Sequence, residues 1–139
     1  MIILDTNVIS EPLRLQPDTQ VVEWLDEQSI ETLFLTSITV GEIRYGLAAL
    51  PNGKRKQSLQ QKFEAEVLPL FTSRVLPYDL PASAAFGRLM AQARTRGFTL
   101  ATADGNIAAI ALTYSMKVAT CDTKPFDAVG VSVINPWLN

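Results

Sequence analysis

Ile2-Ile3-Leu4-Asp5-Thr6-Asn7, near the start of the chain, decides how the rest is read. Three apolar residues in succession, with no polar alternation, mark a short strand buried on both faces, as in a parallel sheet. The run stops on a carboxylate, Asp5, and the carboxyl ends of parallel strands are where sites collect. The pattern returns late in the chain as Lys117-Val118-Ala119-Thr120-Cys121-Asp122, again a strand with an acid beyond it.

Working outward, further strands are expected over residues 33–36, 74–76 and 131–134. Helical periodicity fills the intervals. Thr6-Asn7 caps a short helix running to about Arg14 in spite of Pro12, and Pro17-Asp18 starts a second with Val21, Val22, Trp24 and Leu25 inward. A third helix runs from Thr39 to about Leu50, where Pro51-Asn52-Gly53 breaks it. Others are expected over 54–68, over 81–96 with Gly97 as the stop, and from Thr102 to about Tyr114. Strands alternating with helices predict a three-layer α/β/α fold with a central, mostly parallel sheet, in one domain over residues 1–139.

Composition narrows the chemistry. The 139 residues are 47% hydrophobic and 19% charged, the balance of a folded chain rather than a disordered one. There is no histidine and one cysteine, Cys121, so a Ser-His-Asp triad, a Cys-His dyad, ordinary zinc sites and internal disulfides are excluded. Cys121 reads as a small buried hydrophobe. No signal peptide and no apolar run of membrane-spanning length is seen, so a cytoplasmic protein is expected. The net charge of −2 argues against a purely electrostatic nucleic-acid binder. Any affinity for RNA must come from a local basic patch, a metal or a partner.

Of the 14 acids, most lie on polar helix faces or in first turns, where a carboxylate complements the helix dipole; Glu11 and Asp18 read this way. Four do not. Asp5 and Asp122 end strands. Glu42 falls in the first turn of a helix in the apolar setting Ile38-Thr39-Val40-Gly41-Glu42-Ile43, and Asp104 opens the almost wholly apolar run through Leu112. Strand ends and helix starts share one edge of a parallel sheet, so all four converge there by topology. Each has a plainer reading: Asp5 and Asp104 as helix caps, Glu42 as a dipole partner, Asp122 as a turn residue. Together they repel one another unless a cation intervenes. Oxygen-only ligands select Mg2+ or Mn2+, and such sites hydrolyse phosphodiesters.

At these residues the chain resembles the PIN-domain family, above all its VapC-type toxins and their FitB-like branch. Ile3-Leu4-Asp5-Thr6-Asn7-Val8, Thr39-Val40-Gly41-Glu42-Ile43-Arg44-Tyr45-Gly46, Asp104-Gly105-Asn106-Ile107-Ala108-Ala109-Ile110-Ala111 and Val118-Ala119-Thr120-Cys121-Asp122 with Phe126 are similar to its four acidic motifs, in order. The resemblance implies a ribonuclease that uses Mg2+ or Mn2+ and leaves a 5′-phosphate and a 3′-hydroxyl. It also implies a homodimer held inactive by a small antitoxin, the complex binding operator DNA.

On that basis Asp5, Glu42, Asp104 and Asp122 are expected as metal ligands and catalytic acids, with Thr6, Asn7 and Thr120 supporting them from behind. Lys54, Arg55 and Lys56 are the basic groups expected to meet substrate, with Lys62, Arg88, Arg94 and Arg96 also able to reach phosphate. Taken singly, each of these is better explained by a solvated helix face. Two other α/β magnesium classes, receiver-type phosphoacceptors and haloacid-dehalogenase-like phosphatases, require a second acid beside Asp5, where Thr6-Asn7 stands. The remaining alternative is a non-catalytic subunit of an antitoxin-linked DNA-binding regulatory complex.

Overall fold

A computed structural model describes residues 1–138. Strands β1 (Ile2–Leu4), β2 (Leu33–Thr36), β3 (Val75–Leu76), β4 (Lys117–Ala119) and β5 (Val133–Ile134) form one sheet in the order β3-β2-β1-β4-β5, and every neighbouring pair is parallel. Helices α1 (Thr6–Ser10), α2 (Thr19–Glu27), α3 (Ser37–Ala48), α4 (Lys54–Lys62), α5 (Leu80–Thr95), α6 (Thr102–Tyr114) and α7 (Lys124–Ala128) surround it. The expected α/β/α layering is therefore present.

The side-chain alternation of β1 shows why the sheet is covered on both faces. Ile3 packs with Leu89, Ile107, Ile110 and Val118 in the layer built on α5 and α6. The next residue, Leu4, points the other way, toward Val8, Trp24, Leu35, Phe63 and Phe71. Phe63 and Phe71 are fully enclosed, each contributing about 1.5–3 kcal/mol of burial. Helix α6 has buried residues from Gly105 to Ala111 and lies directly against α5. Gly105 permits the contact: a Cβ there would stand 2.7 Å from Met90 Sδ and 3.1 Å from a Phe86 ring carbon.

The strand order places the site. The chain fills β1, β2 and β3 in one direction, then crosses to the opposite side of β1 for β4 and β5. The order reverses between β1 and β4, and a crevice opens at their carboxyl ends. Asp5 continues that ladder by one bond, its N–H donating to the Ala119 carbonyl at 2.9 Å.

Local differences from the sequence reading have physical causes. Asp5, rather than Thr6-Asn7, caps α1, accepting from the Thr6 N–H. Pro12 ends α1 early, and Glu11–Leu13 becomes a 3-10 turn. Helix α3 begins at Ser37, not Thr39, because the Thr36 hydroxyl caps it by accepting from the Thr39 N–H; Glu42 is thereby on the second turn. The helix expected over 54–68 passes at Phe63–Val67 into a π turn and then, at Pro69, into the 3-10 segment Leu68–Phe71. Helix α7 had no expectation, since a single turn with Pro125 in it reads as loop. Strands β3 and β5 are shorter than the expected 74–76 and 131–134.

Candidate functional site

Asp5 sits at the reversal point, 5% exposed, where β1 hands over to α1. Both of its oxygens are held. Oδ1 accepts from the Thr6 N–H at 2.8 Å; Oδ2 accepts from the Thr120 hydroxyl at 2.8 Å and the Asn7 amide at 3.2 Å. Burial pushes its pKa up, the bonds from Thr120 and Thr6 oppose that, and the negative charge of Glu42 adds to the rise.

Thr6 spans two elements. Its N–H serves Asp5, and its hydroxyl donates to Glu42 Oε1 on α3 at 2.7 Å. Thr120 is the corresponding hub on the β4 side. Its hydroxyl donates to Asp5 and accepts from the Asp122 N–H at 3.1 Å and from Asn7 Nδ2 at 3.2 Å. Asn7 completes the frame by accepting from the Cys121 N–H at 3.2 Å. Thus β1–α1, α3 and the turn after β4 are tied together by three polar side chains.

Asp104 enters from the first turn of α6. Its carboxyl is pushed up to about 6, first by burial and then by the charges of Asp5, Asp122 and Glu42. Asp104 therefore feels the charges of the other three predicted acids, although the four arise from separate elements. No Lys or Arg forms an ion pair with any of them among the described residues. Nor, among those residues, do three acids close on one point as a finished metal cage. This donor set is hard, anionic and uncompensated, and it fits a divalent ion that keeps part of its water shell. It does not fit a soft metal or an organic cofactor.

Other predicted residues are placed differently. Lys56 is engaged as a helix stop: its ammonium donates to the Ala48 carbonyl at 2.8 Å and Asn52 Oδ1 at 3.2 Å. Lys54 is exposed, and Arg55 borders a groove that runs from Thr6 and Glu42 between α1, α3 and α4. Cys121 is exposed and not a core residue, because the chain turns outward after Thr120. Trp24 is buried, Trp137 packs at the edge of the core, and Tyr45 and Tyr114 face solvent.

Glu11, expected as a first-turn acid, does lie in the first turn of its 3-10 segment, but buried. It accepts from the Asp18 N–H at 3.0 Å and pairs with Arg14 at 3.3 Å. The i,i+3 spacing to Arg14 was the available signal.

Known proteins resemble this chain over nearly its whole length. The PIN domain family profile matches residues 2–131. The chain is 55% identical over 137 residues to VapC ribonuclease Y4jK of Sinorhizobium fredii, covering 99% of this chain and 98% of that one. It is 51% identical over 137 residues to Toxin FitB of Neisseria gonorrhoeae, covering 99% of each. The structure of FitAB bound to an IR36 DNA fragment superimposes with a TM-score of 0.95 at 52% identity, over 99% of this chain and 96% of that one.

Proposed function

The chain belongs to the PIN-domain family, and from that premise we propose that it is a metal-dependent endoribonuclease, the toxin of a type II toxin–antitoxin pair. The observation that carries the reading is that Asp104 feels the charges of Asp5, Asp122 and Glu42 while none of the four forms an ion pair among the described residues.

Asp5, Glu42 and Asp104 would hold Mg2+ or Mn2+, with Asp122 adding a carboxylate from the β4 side. When bound, the ion supplies Lewis acidity and lowers the pKa of water, which a phosphodiester needs for attack at neutral pH. The chain supplies position. The Thr6 N–H and the Thr120 hydroxyl fix the two Asp5 oxygens, and the Thr6 hydroxyl orients Glu42 Oε1. Asn7 holds the turn that carries Asp122. A carboxylate of this set takes the proton of the attacking water. The open rim suits a flexible RNA strand better than a small molecule.

The relatives named as toxins, and the FitAB complex with its DNA fragment, support a partner reading. A small antitoxin would block the rim and carry the pair to operator DNA, the toxin being a homodimer. A cytoplasmic location follows from an RNA target; no helix among the described residues is long and apolar enough to cross a membrane. The single PIN domain over 1–139 is part of the same proposal.

The test is incubation of partner-free protein with a mixed RNA pool in EDTA, in Mg2+ and in Mn2+, with Asp5→Asn in parallel. Cleavage that needs the ion and disappears in the folded variant is expected. An active, folded Asp5→Asn protein would overturn the assignment. Bound metal with no cleavage by the wild type would favour the non-catalytic regulatory subunit.

A further inference from the structure

The groove leaving the carboxylate rim has a volume of about 300 Å³, with Thr6 and Glu42 at one end and an apolar floor that includes Leu13 and Leu47. Two cations border it, Arg14 after the 3-10 turn and Arg55 on α4, and the same pair flanks the adjoining opening beside Leu15 and Gln16. They are distant in sequence and come together only through the packing of α1, α3 and α4.

Three other cations, Arg44, Arg74 and Lys56, are committed within the protein. Arg44 is engaged by Glu64 through two bonds, at 2.7 and 3.0 Å. Arg74 donates to the carbonyls of Leu33 and Leu70, and Lys56 to that of Ala48. Arg55 forms no ion pair among the described residues. Arg14 uses Nη1 on the buried Glu11, yet its side chain is 67% exposed, so the rest of the fork faces solvent. Glu11 thereby fixes a long side chain in one direction, reducing the ordering cost of a contact.

We propose that Arg14 and Arg55 form a backbone-phosphate subsite that receives the RNA strand as it leaves the carboxylate rim along this groove. The inference rests on the ribonuclease reading above. An uncompensated acidic rim in a chain of net charge −2 repels a polyanion, so positive charge is needed beside it. Arginine forks match phosphate oxygens in a way a lysine does not. The apolar floor accepts the ribose and base of the same nucleotide. Gly46 keeps that floor open: it lines the groove, and a Cβ there meets nothing within 4 Å.

The test uses the full chain with fluorescent single-stranded RNA. Binding is followed across a salt series in the Asp5→Asn background, so that the RNA survives; turnover is followed with Asp5 intact. Arg14→Ala and Arg55→Ala should each flatten the slope of log affinity against log salt by about 0.7. Each should raise KM about tenfold, the low end for a lost charge-assisted bond, with kcat little changed. Gly46→Leu, which fills the groove without removing charge, should raise KM and leave kcat. Lys117→Ala, which removes an exposed cation at the start of β4 on the opposite edge of the sheet, is the control.

Wild-type cleavage with unchanged slope and KM in both arginine variants would overturn the subsite and leave the nuclease intact. Loss of a co-purifying small protein from those variants, with RNA behaviour unchanged, would assign the groove to a protein partner and equally overturn it. Absence of cleavage by the wild type, with salt-dependent binding still weakened by both substitutions, would support the subsite while refuting the chemistry.

Discussion

Asp104→Asn should stabilise the protein freed of divalent ions at neutral pH and lose that advantage in acid. The wild-type carboxyl is held at about 6 against an ordinary 3.8, by burial first and by Asp5, Asp122 and Glu42 after it. The native state therefore binds this proton more tightly than the unfolded chain does. Below the unfolded value both states carry the proton and the group costs nothing. As the pH rises through the interval up to about 6 the unfolded chain ionises first, and the penalty on folding is complete above it. At ~1.4 kcal/mol per pH unit the ceiling is ~3 kcal/mol. The carboxyl is only half-buried, so solvent screening reduces this to about 1–2 kcal/mol. The ionised group also gains ~0.3–1 kcal/mol from the first turn of α6, which the amide forfeits. A net gain of about 1 kcal/mol remains, worth ~3–5 °C for a chain of this size. Thermal and urea unfolding in EDTA, followed by circular dichroism at about pH 7.5 and about pH 4, measure it. Added Mn2+ should reverse the ranking, because ligand binding stabilises only the state that binds it. A variant no more stable than wild type at the higher pH, or equally favoured at both, would refute the electrostatic reasoning.

Thr120→Val keeps the shape of the buried hub and removes its hydroxyl; metal affinity or turnover should fall by about 10–100-fold, as titration and RNA cleavage would record, and stability should fall by about 1–3 kcal/mol because Asp5 Oδ2 and the Asp122 N–H lose a buried partner. Gly105→Ala should lower stability by about 1 kcal/mol through its clash with Met90 and Phe86, whereas Gly87→Ala, on open helix surface, should raise it by about as much; paired melting curves decide. Lys56→Ala should cost about 1 kcal/mol at the end of α3 and leave KM for RNA unchanged, in contrast to Arg55→Ala, because its ammonium is committed to the Ala48 carbonyl.

Much of the arrangement was legible in the chain because parallel sheets expose simple signals. Ile2-Ile3-Leu4 and Val118-Ala119 have no polar alternation, and each is followed by an acid, which fixed both the strands and the edge of the sheet that matters. What remained hidden was set by pairing across distance. Nothing local told that Thr6 would serve Asp5 with its N–H and Glu42 with its hydroxyl. The start of α3 was misplaced by two residues because Thr36, a strand residue, doubles as its cap. Glu11 reads as a first-turn acid, and only the folding of Asp18 and Arg14 around it makes it an interior one. In the basic run Lys54-Arg55-Lys56 the composition is uniform, but the helix sends Arg55 to the groove and Lys56 back to its own loop.

The position of β4 bears on when, as the chain is made, the rim can first be complete. Because β4 is inserted beside β1 only after β2 and β3 have been laid down on the other side, the crevice between them has one wall until the last fifth of the chain arrives. A polypeptide still being synthesised, or one ended early by a nonsense codon, carries Asp5, Glu42 and even Asp104 but lacks Thr120 and Asp122, and so lacks the strand that buries Asp5 and the hydroxyl that orients it. Strand order thus makes the complete rim a late product of the chain: both of its walls are present only once β4 has been added.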